Sequence, residues 1–336
     1  MNEYYFLQLT KREQSYYRKI IEAIVHGDAM VKASYLMTTE TITKVVTAVN
    51  YDHPEYFYAD FRHLSFITTP DGVILQINYI VKSGVRKSVE VDLNNKIETI
   101  LDAVKKENLT TDYQKCRWIH NYLAKKVRYN YEALSNLDGF PDSFGIRGVF
   151  FDNLAVCEGI SKAFKLLCDR LGVNAFVAFG TSSLSGFGNE IPHAWNMVCL
   201  DKLFYHIDVT WDMGMSETSQ FMRYDYFCLP DPPMRVDHVY ENYPNCTDES
   251  LSYFQQRKRY FTSGQQLQKY LDAELKKNAT VFYFKAENSN IAFEEFSKRI
   301  SEQVNKAVST HLNCSYYIEM IPNEKQKCFF FRIKKQ

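Results

Sequence analysis

The chain has 336 residues, 46% of them hydrophobic, enough to bury a full core across two or three domains. Lys+Arg and Asp+Glu balance at 40 each, so net charge gives no pointer to nucleic acid or an anionic membrane surface. Eight scattered cysteines without close pairs argue for free thiols in a reducing compartment rather than a disulfide framework, and most of them read as small buried hydrophobes.

The first residues, MNEYYFLQLTKREQ, lack the basic start and apolar run of a secretory signal, and no apolar stretch approaches the roughly 18 residues of a membrane span. The chain is therefore expected to be cytoplasmic. Three parts follow from the patterning. Residues 1–95 read as a small α+β accessory domain. Thr10 and Glu13 form a capping-box pattern ahead of Tyr17, Ile20, Ile21 and Ile24 at helical spacing, and a second helix is expected over about 40–49. LSFITT and VILQINYIV then flank Pro70-Asp71-Gly72, the signature of a hairpin with a Gly-dependent turn.

Residues 96–240 carry the chemistry. A helix near 96–107 and another over 112–127 lead in. Cys116 and His120 lie four apart on the latter, but no second Cys/His pair accompanies them, and core packing accounts for both. The stretch 130–150 is irregular, broken by Gly139, Pro141, Gly145 and Gly148. Residues 250–336 read as a small C-terminal α+β domain: helices over 249–259 and 264–277 with Ser263 as N-cap, a strand over 279–286, a helix near 290–312 and a closing hairpin. The terminal domains are expected either to dock a partner or to cover the core.

From Cys157 onward, Ile160, Ala163, Phe164, Leu167 and Leu171 recur at helical spacing, and Gly172 is a natural stop. Cys157 thus falls at the start of a helix, where unpaired amides and the helix dipole favour a thiolate and could donate to an oxyanion. His193, Trp195, Met197 and Cys199 alternate on one face of a strand, and 203–211 also reads as extended. If Asp201-Lys202 is a two-residue turn, Trp195 opposes Asp208 and His193 opposes Thr210. His193 and Asp208 would then be diagonal neighbours, about 7–8 Å apart between Cα atoms. A one-residue slip would separate them. Cys157 would be the nucleophile and His193 the base. Asp208 would hold the imidazole.

CEGISKAFKLLCDRLG, HAWNMV and YHIDVTWD, in this order, resemble the transglutaminase-like (transglutaminase core) superfamily, bacterial type, over about 110–240. The matching residues are Cys157, His193 to Asn196 and Asp208 to Asp212. RYDYFCLPD with Asp237-His238 is similar to the segment that follows the core in bacterial members. The resemblance implies an α+β fold with a papain-like core, in which a helix bearing the Cys packs on an antiparallel sheet carrying His and Asp. It implies a Cys-His-Asp triad forming a thioester on a peptide or amide, with Trp195 and Trp211 walling the groove and Asp212 behind the triad or closing a strand. His238 reads as a packing or loop residue, with a second base as the other reading.

Transfer of the acyl group to water would make a cysteine peptidase or amidase, and transfer to an amine a protein-glutamine transglutaminase. A non-catalytic peptide-binding scaffold is the third reading. Hydrolysis is preferred by analogy with the family. The expected partner is a peptide or protein substrate, with no nucleic acid, membrane, cofactor or metal; oligomeric state is not legible. The Gly/Ser-rich loop 181–192 is expected to be a rim over the groove or a surface connection.

Overall fold

The computed structural model describes residues 3–63, 65–183, 190–287 and 291–335. The chain divides into two compact units, residues 1–181 with 192–202 and residues 182–191 with 203–336. Of the expected rim, residues 184–189 lie outside the described residues.

The first unit begins with α1 (Lys11–His26), whose capping box is complete: Glu13 N–H donates to Thr10 Oγ1 at 3.3 Å and Thr10 N–H to Glu13 Oε2 at 2.7 Å. Its Tyr16, Tyr17, Ile20 and Ile24 are buried against α2 (Thr39–Asp52). Strands β1 (Met30–Ala33), β2 (Ser65–Thr69) and β3 (Gly72–Gln76) form an antiparallel sheet in the order β1-β3-β2. The β2–β3 hairpin turns where the sequence places it. Gly72 has φ 150°, and a Cβ there would stand 1.9 Å from the Ala33 carbonyl oxygen, so glycine is required twice over.

Helix α3 (Ser83–Lys106) starts more than ten residues before the expected 96, because its first turns carry the polar VRKSVEVD run that hides the apolar face. Helix α4 (Asp112–Lys126) follows behind a second capping box, Thr111 with Gln114, and buries Cys116, Ile119, His120 and Leu123. Short turns, including one π-type turn over Gly148–Asp152, occupy the irregular stretch and lead to β5 (Leu154–Ala155), which pairs in parallel with β4 (Arg128–Tyr129). Next come α5 (Cys157–Arg170) and the strands β6 (Asn174–Ser182) and β7 (Ile191–Leu200), neighbours in one sheet. Helix α5 ends as the sequence implies, with Gly172 at φ 72° and Val173 N–H bonding back to the Cys168 carbonyl at 2.9 Å.

The second unit opens with β8 (Leu203–Ile207), which pairs antiparallel with β9 (Phe227–Leu229) across a register shift. Between them runs α6 (Val209–Ser219). The short α7 (Asp231–Met234), β10 (His238–Val239) and α8 (Tyr253–Gln256) follow. The last sheet has the order β11-β12-β14-β13, built from β11 (Tyr260–Phe261), β12 (Val281–Ala286), β13 (Tyr316–Asn323) and β14 (Cys328–Lys335). Helices α9 (Gly264–Leu275), capped by Ser263, and α10 (Phe293–His311) cover one face.

Strand β14, CFFFRIKK, shows why this domain holds. Phe329, Phe331 and Ile333 point into the α9–α10 core. Phe330, on the other face, packs against Phe221 at 5.2 Å between ring centroids and pairs with Tyr283 of β12. Both faces of the strand are therefore buried, which explains its unbroken apolar run. The architecture is α+β, as expected, and among the described residues no helix is long and apolar enough to cross a membrane.

Candidate active site

Cys157 is the first residue of α5, half-buried, and the preceding Val156 contributes no side-chain cap. The first-turn amides are thus not taken up by a capping side chain, an arrangement that favours an anion at this end. The entry is pinned by β5. Asn130 N–H donates to the Ala155 carbonyl at 3.0 Å, and Val156 N–H to the Ser143 carbonyl at 3.0 Å. Ser143 Oγ, which accepts from Asn130 Nδ2 at 2.9 Å, donates to the Leu154 carbonyl at 3.3 Å. Gly159 lets the helix press onto this loop, since a Cβ there would meet the Ser143 carbonyl oxygen at 2.5 Å.

His193 comes from β7 and is buried. Burial alone would push the Cys157 thiol up, but a hydrogen bond to His193, the charge of its imidazolium and the Ala194 amide outweigh it, and the thiol is held below its ordinary value. The strand is fixed to the helix by Asn196, whose Nδ2 donates to the Ser161 carbonyl of α5 at 2.9 Å and to the Phe176 carbonyl of β6 at 3.4 Å. Trp195 is 1% exposed and stacks with the His193 ring at 5.9 Å. It supports the imidazole from the core and does not wall an open groove.

On α5 itself, Glu158 beside the cysteine bonds Lys162 at 2.7 Å and accepts from Asn50 Nδ2 of α2 at 3.4 Å. Residues of the N-terminal part thus touch the turn that carries the thiol. Cys116 and His120 are core residues of α4, and Cys116 and Cys168 of α5 are buried free thiols.

The second unit holds Asp208, and here the structure corrects the sequence. The run to Trp211 is not one strand: β8 ends at Ile207 and Asp208 is the N-cap of α6, its Oδ1 accepting Trp211 N–H at 3.0 Å. Thr210 is helical and has no cross-strand place opposite His193. Val-Thr-Trp reads as strand by propensity, and the capping role of the aspartate overrides it. Asp212 is likewise a helix residue and not a strand end; its Oδ1 accepts Tyr226 N–H at 3.0 Å. Trp211 packs on Tyr226 at 5.0 Å and on His238 at 4.8 Å. Asp208 Oδ2 faces His238 Nε2 at 3.1 Å, and both residues are buried.

A second polar cluster of this unit brings His206, Asp231 and Cys246 together, with their ligand-type atoms within 4.8 Å of one another. These groups are bonded to each other. Asp231 Oδ1 faces His206 Nε2 at 3.0 Å and accepts Tyr240 OH at 2.6 Å, while Asp231 Oδ2 accepts Cys246 N–H at 2.8 Å. The arrangement is that of a structural lock.

Residues 101–209 match the sequence model of the Transglutaminase-like superfamily. The stretch includes Cys157, His193 and Asp208. Among individual proteins, it is similar to the Kyphoscoliosis peptidase of Mus musculus, 23% identical over 171 residues covering 48% of this chain and 25% of the relative. The Kyphoscoliosis peptidase of Homo sapiens is 24% identical over 143 residues, 39% of this chain and 21% of the relative. The chain therefore spans about a quarter or less of the length of these relatives. A solved TGase structure is 16% identical with a TM-score of 0.34, covering 54% of this chain and 50% of that one.

Proposed function

We propose that the protein is a thiol-dependent acyl-transfer enzyme acting on peptide or amide bonds, a cysteine peptidase or amidase. The observation that carries this is the Cys157–His193 pair: a thiol at an uncapped helix start, hydrogen-bonded to a buried imidazole and held below its ordinary pKa. The match of residues 101–209 to the Transglutaminase-like superfamily supports it. The relatives named as peptidases favour hydrolysis over amine transfer.

His193 takes the thiol proton, and the Cys157 thiolate attacks the acyl carbon. The amine leaves with the proton returned by His193, and a thioester remains on the sulfur. Water then adds with His193 as base, releasing the acid and restoring the thiol. Asp208 is the proposed third member. The sequence order and the turn at Asp201-Lys202 support this, since both residues have left-handed φ, 51° and 68°, as a two-residue type I′ turn requires. Residues 96–240 would form the catalytic core, flanked by accessory domains over 1–95 and 250–336.

The test is acyl trapping. Incubation with an activated ester or a peptide amide should add one acyl mass to Cys157, and Cys157→Ala should abolish it. Adding methylamine separates the acceptors: free acid as the dominant product supports the hydrolase, methylamide the transglutaminase. No covalent adduct and no turnover would leave a peptide-binding scaffold.

A further inference from the structure

The Asp208 carboxylate is the end of a buried chain of polar groups that runs through His238 into the C-terminal hairpin. His238, 1% exposed, sits on β10 with a carboxylate at each ring nitrogen: Asp208 Oδ2 lies 3.1 Å from Nε2, and Asp237 Oδ1 lies 2.7 Å from Nδ1. Asp237 Oδ2 in turn accepts Tyr226 OH at 2.8 Å and Gln326 Nε2 at 3.2 Å. Gln326 belongs to the turn between β13 and β14. Its own amide N–H donates to Asn323 Oδ1 at 3.2 Å, and Asn323 Nδ2 reaches Asp225 at 3.0 Å and Tyr226 OH at 3.4 Å.

The hydrogen-bond directions follow from the inventory of donors. Asp237 receives a phenol and an amide N–H on one oxygen, and Asp208 receives the Trp211 amide at the start of a helix; both environments suit a carboxylate. Each ring nitrogen of His238 lies within hydrogen-bond distance of a carboxylate oxygen. Asp208 is gripped at each oxygen, by Trp211 N–H on Oδ1 and by His238 on Oδ2, and the packing of Trp211 on the His238 ring at 4.8 Å fixes the plane of that grip.

We propose that His238 is a positioning residue for the reaction, acting through Asp208, and that the β13–β14 turn helps to set it through Gln326 and Asp237. This rests on the triad reading given above. It assigns the C-terminal domain a share in the active-site apparatus, beyond that of a cover. His238 touches no substrate in this scheme. Its effect is to hold the Asp208 carboxylate in one orientation, as outer-shell partners hold functional groups elsewhere.

The test uses the full chain and reads the rate of Cys157 alkylation by iodoacetamide at pH 7, peptide by peptide by mass spectrometry, with the exposed Cys314 as an internal reference thiol. His238→Ala should slow Cys157 severalfold, by no more than Asp208→Asn does, His238→Gln, which keeps an N–H donor toward Asp208, should recover to within about twofold of wild type, and Gln326→Ala should fall between. In an Asp208→Asn background His238→Ala should add less than about twofold, because it acts through a group already removed. Near-UV circular dichroism checks that each variant is folded; if His238→Ala is not, Gln326→Ala, alone and in the Asp208→Asn background, decides by the same criteria.

Folded His238→Ala or Gln326→Ala labelling at the wild-type rate while His193→Ala is slow would overturn this proposal and leave the triad standing. So would independent, multiplying effects of His238 and Asp208. A wild-type Cys157 no faster than Cys314 would overturn the triad reading and this proposal with it.

Discussion

The side-chain amide of Asn196 on β7 donates to the main-chain carbonyl of Ser161 on α5 at 2.9 Å, with both residues buried. Through this one bond the strand that carries His193 is registered against the helix that carries Cys157. Removing it takes a buried amide donor away from a helix carbonyl and a strand carbonyl. Asn196→Ala should therefore cost about 1–3 kcal/mol in urea unfolding and slow Cys157 alkylation severalfold. Retention of both wild-type stability and wild-type alkylation would show that the bond registers nothing.

Gly159→Ala reverses an ordinary expectation. Inside an exposed helix this change gains up to about 1 kcal/mol from propensity alone. Here the added methyl would meet the Ser143 carbonyl oxygen at 2.5 Å and that of Gly145 at 3.0 Å, both main-chain atoms with little room to move. A loss of about 1–3 kcal/mol is expected, together with slower Cys157 alkylation as the helix start is pushed off its loop. A stabilised variant would contradict the packing described.

Arg223 and Asp225 form a fully buried fork, at 3.1 Å from Nε to Oδ1 and 2.7 Å from Nη2 to Oδ2, and Arg223 also donates to the Ile321 carbonyl at 3.2 Å. The pair ties the segment before β9 to the C-terminal sheet. Arg223→Ala abandons a buried carboxylate and should destabilise by about 3–5 kcal/mol, far more than an exposed ion pair would. Thermal unfolding of the variant against wild type checks this.

Much of this was legible in advance, for local reasons. The spacing of Ile160, Ala163, Phe164 and Leu167 gave α5, and Thr10-Glu13 gave the start of α1, because helix periodicity and capping are written within a few residues. The turn at Asp201-Lys202 was also legible, although neither residue is glycine and both take left-handed φ. Asp208 was misplaced because Val209-Thr210-Trp211 favour strand by propensity, while its capping bond to Trp211 N–H depends on the chain turning at once into a helix. His238 read only as a packing or loop residue or a second base, and its place between two carboxylates was not legible. Its environment depends on Asp237, which is held by Gln326, 89 residues further along the chain.

Asp231 sets a pH dependence. Burial alone would raise its carboxyl, but bonds from His206, Tyr240 and the Cys246 amide outweigh it and bring it from 3.8 to about 2. A carboxyl lowered on folding contributes stability that is fully present above its unfolded pKa and is lost as the pH falls through its folded one. Asp231→Asn should thus be less stable than wild type at pH 7, by about 1–2 kcal/mol. The gap should close as the pH falls from 3.8 towards about 2, followed by urea unfolding at each pH. A gap constant down to pH 2 would contradict it.

The most direct measurement is the pH profile of Cys157 alkylation in wild type, His193→Ala and Asp208→Asn. An activated thiolate predicts fast labelling at and below neutral pH in wild type, slowed by about tenfold or more in His193→Ala, whose profile should move up toward that of a free thiol near 8.5. Asp208→Asn should fall between the two. If Cys157 is accessible yet follows the same free-thiol profile in all three proteins, the pairing of Cys157 with His193 does no chemistry, and the enzyme reading gives way to a peptide-binding one.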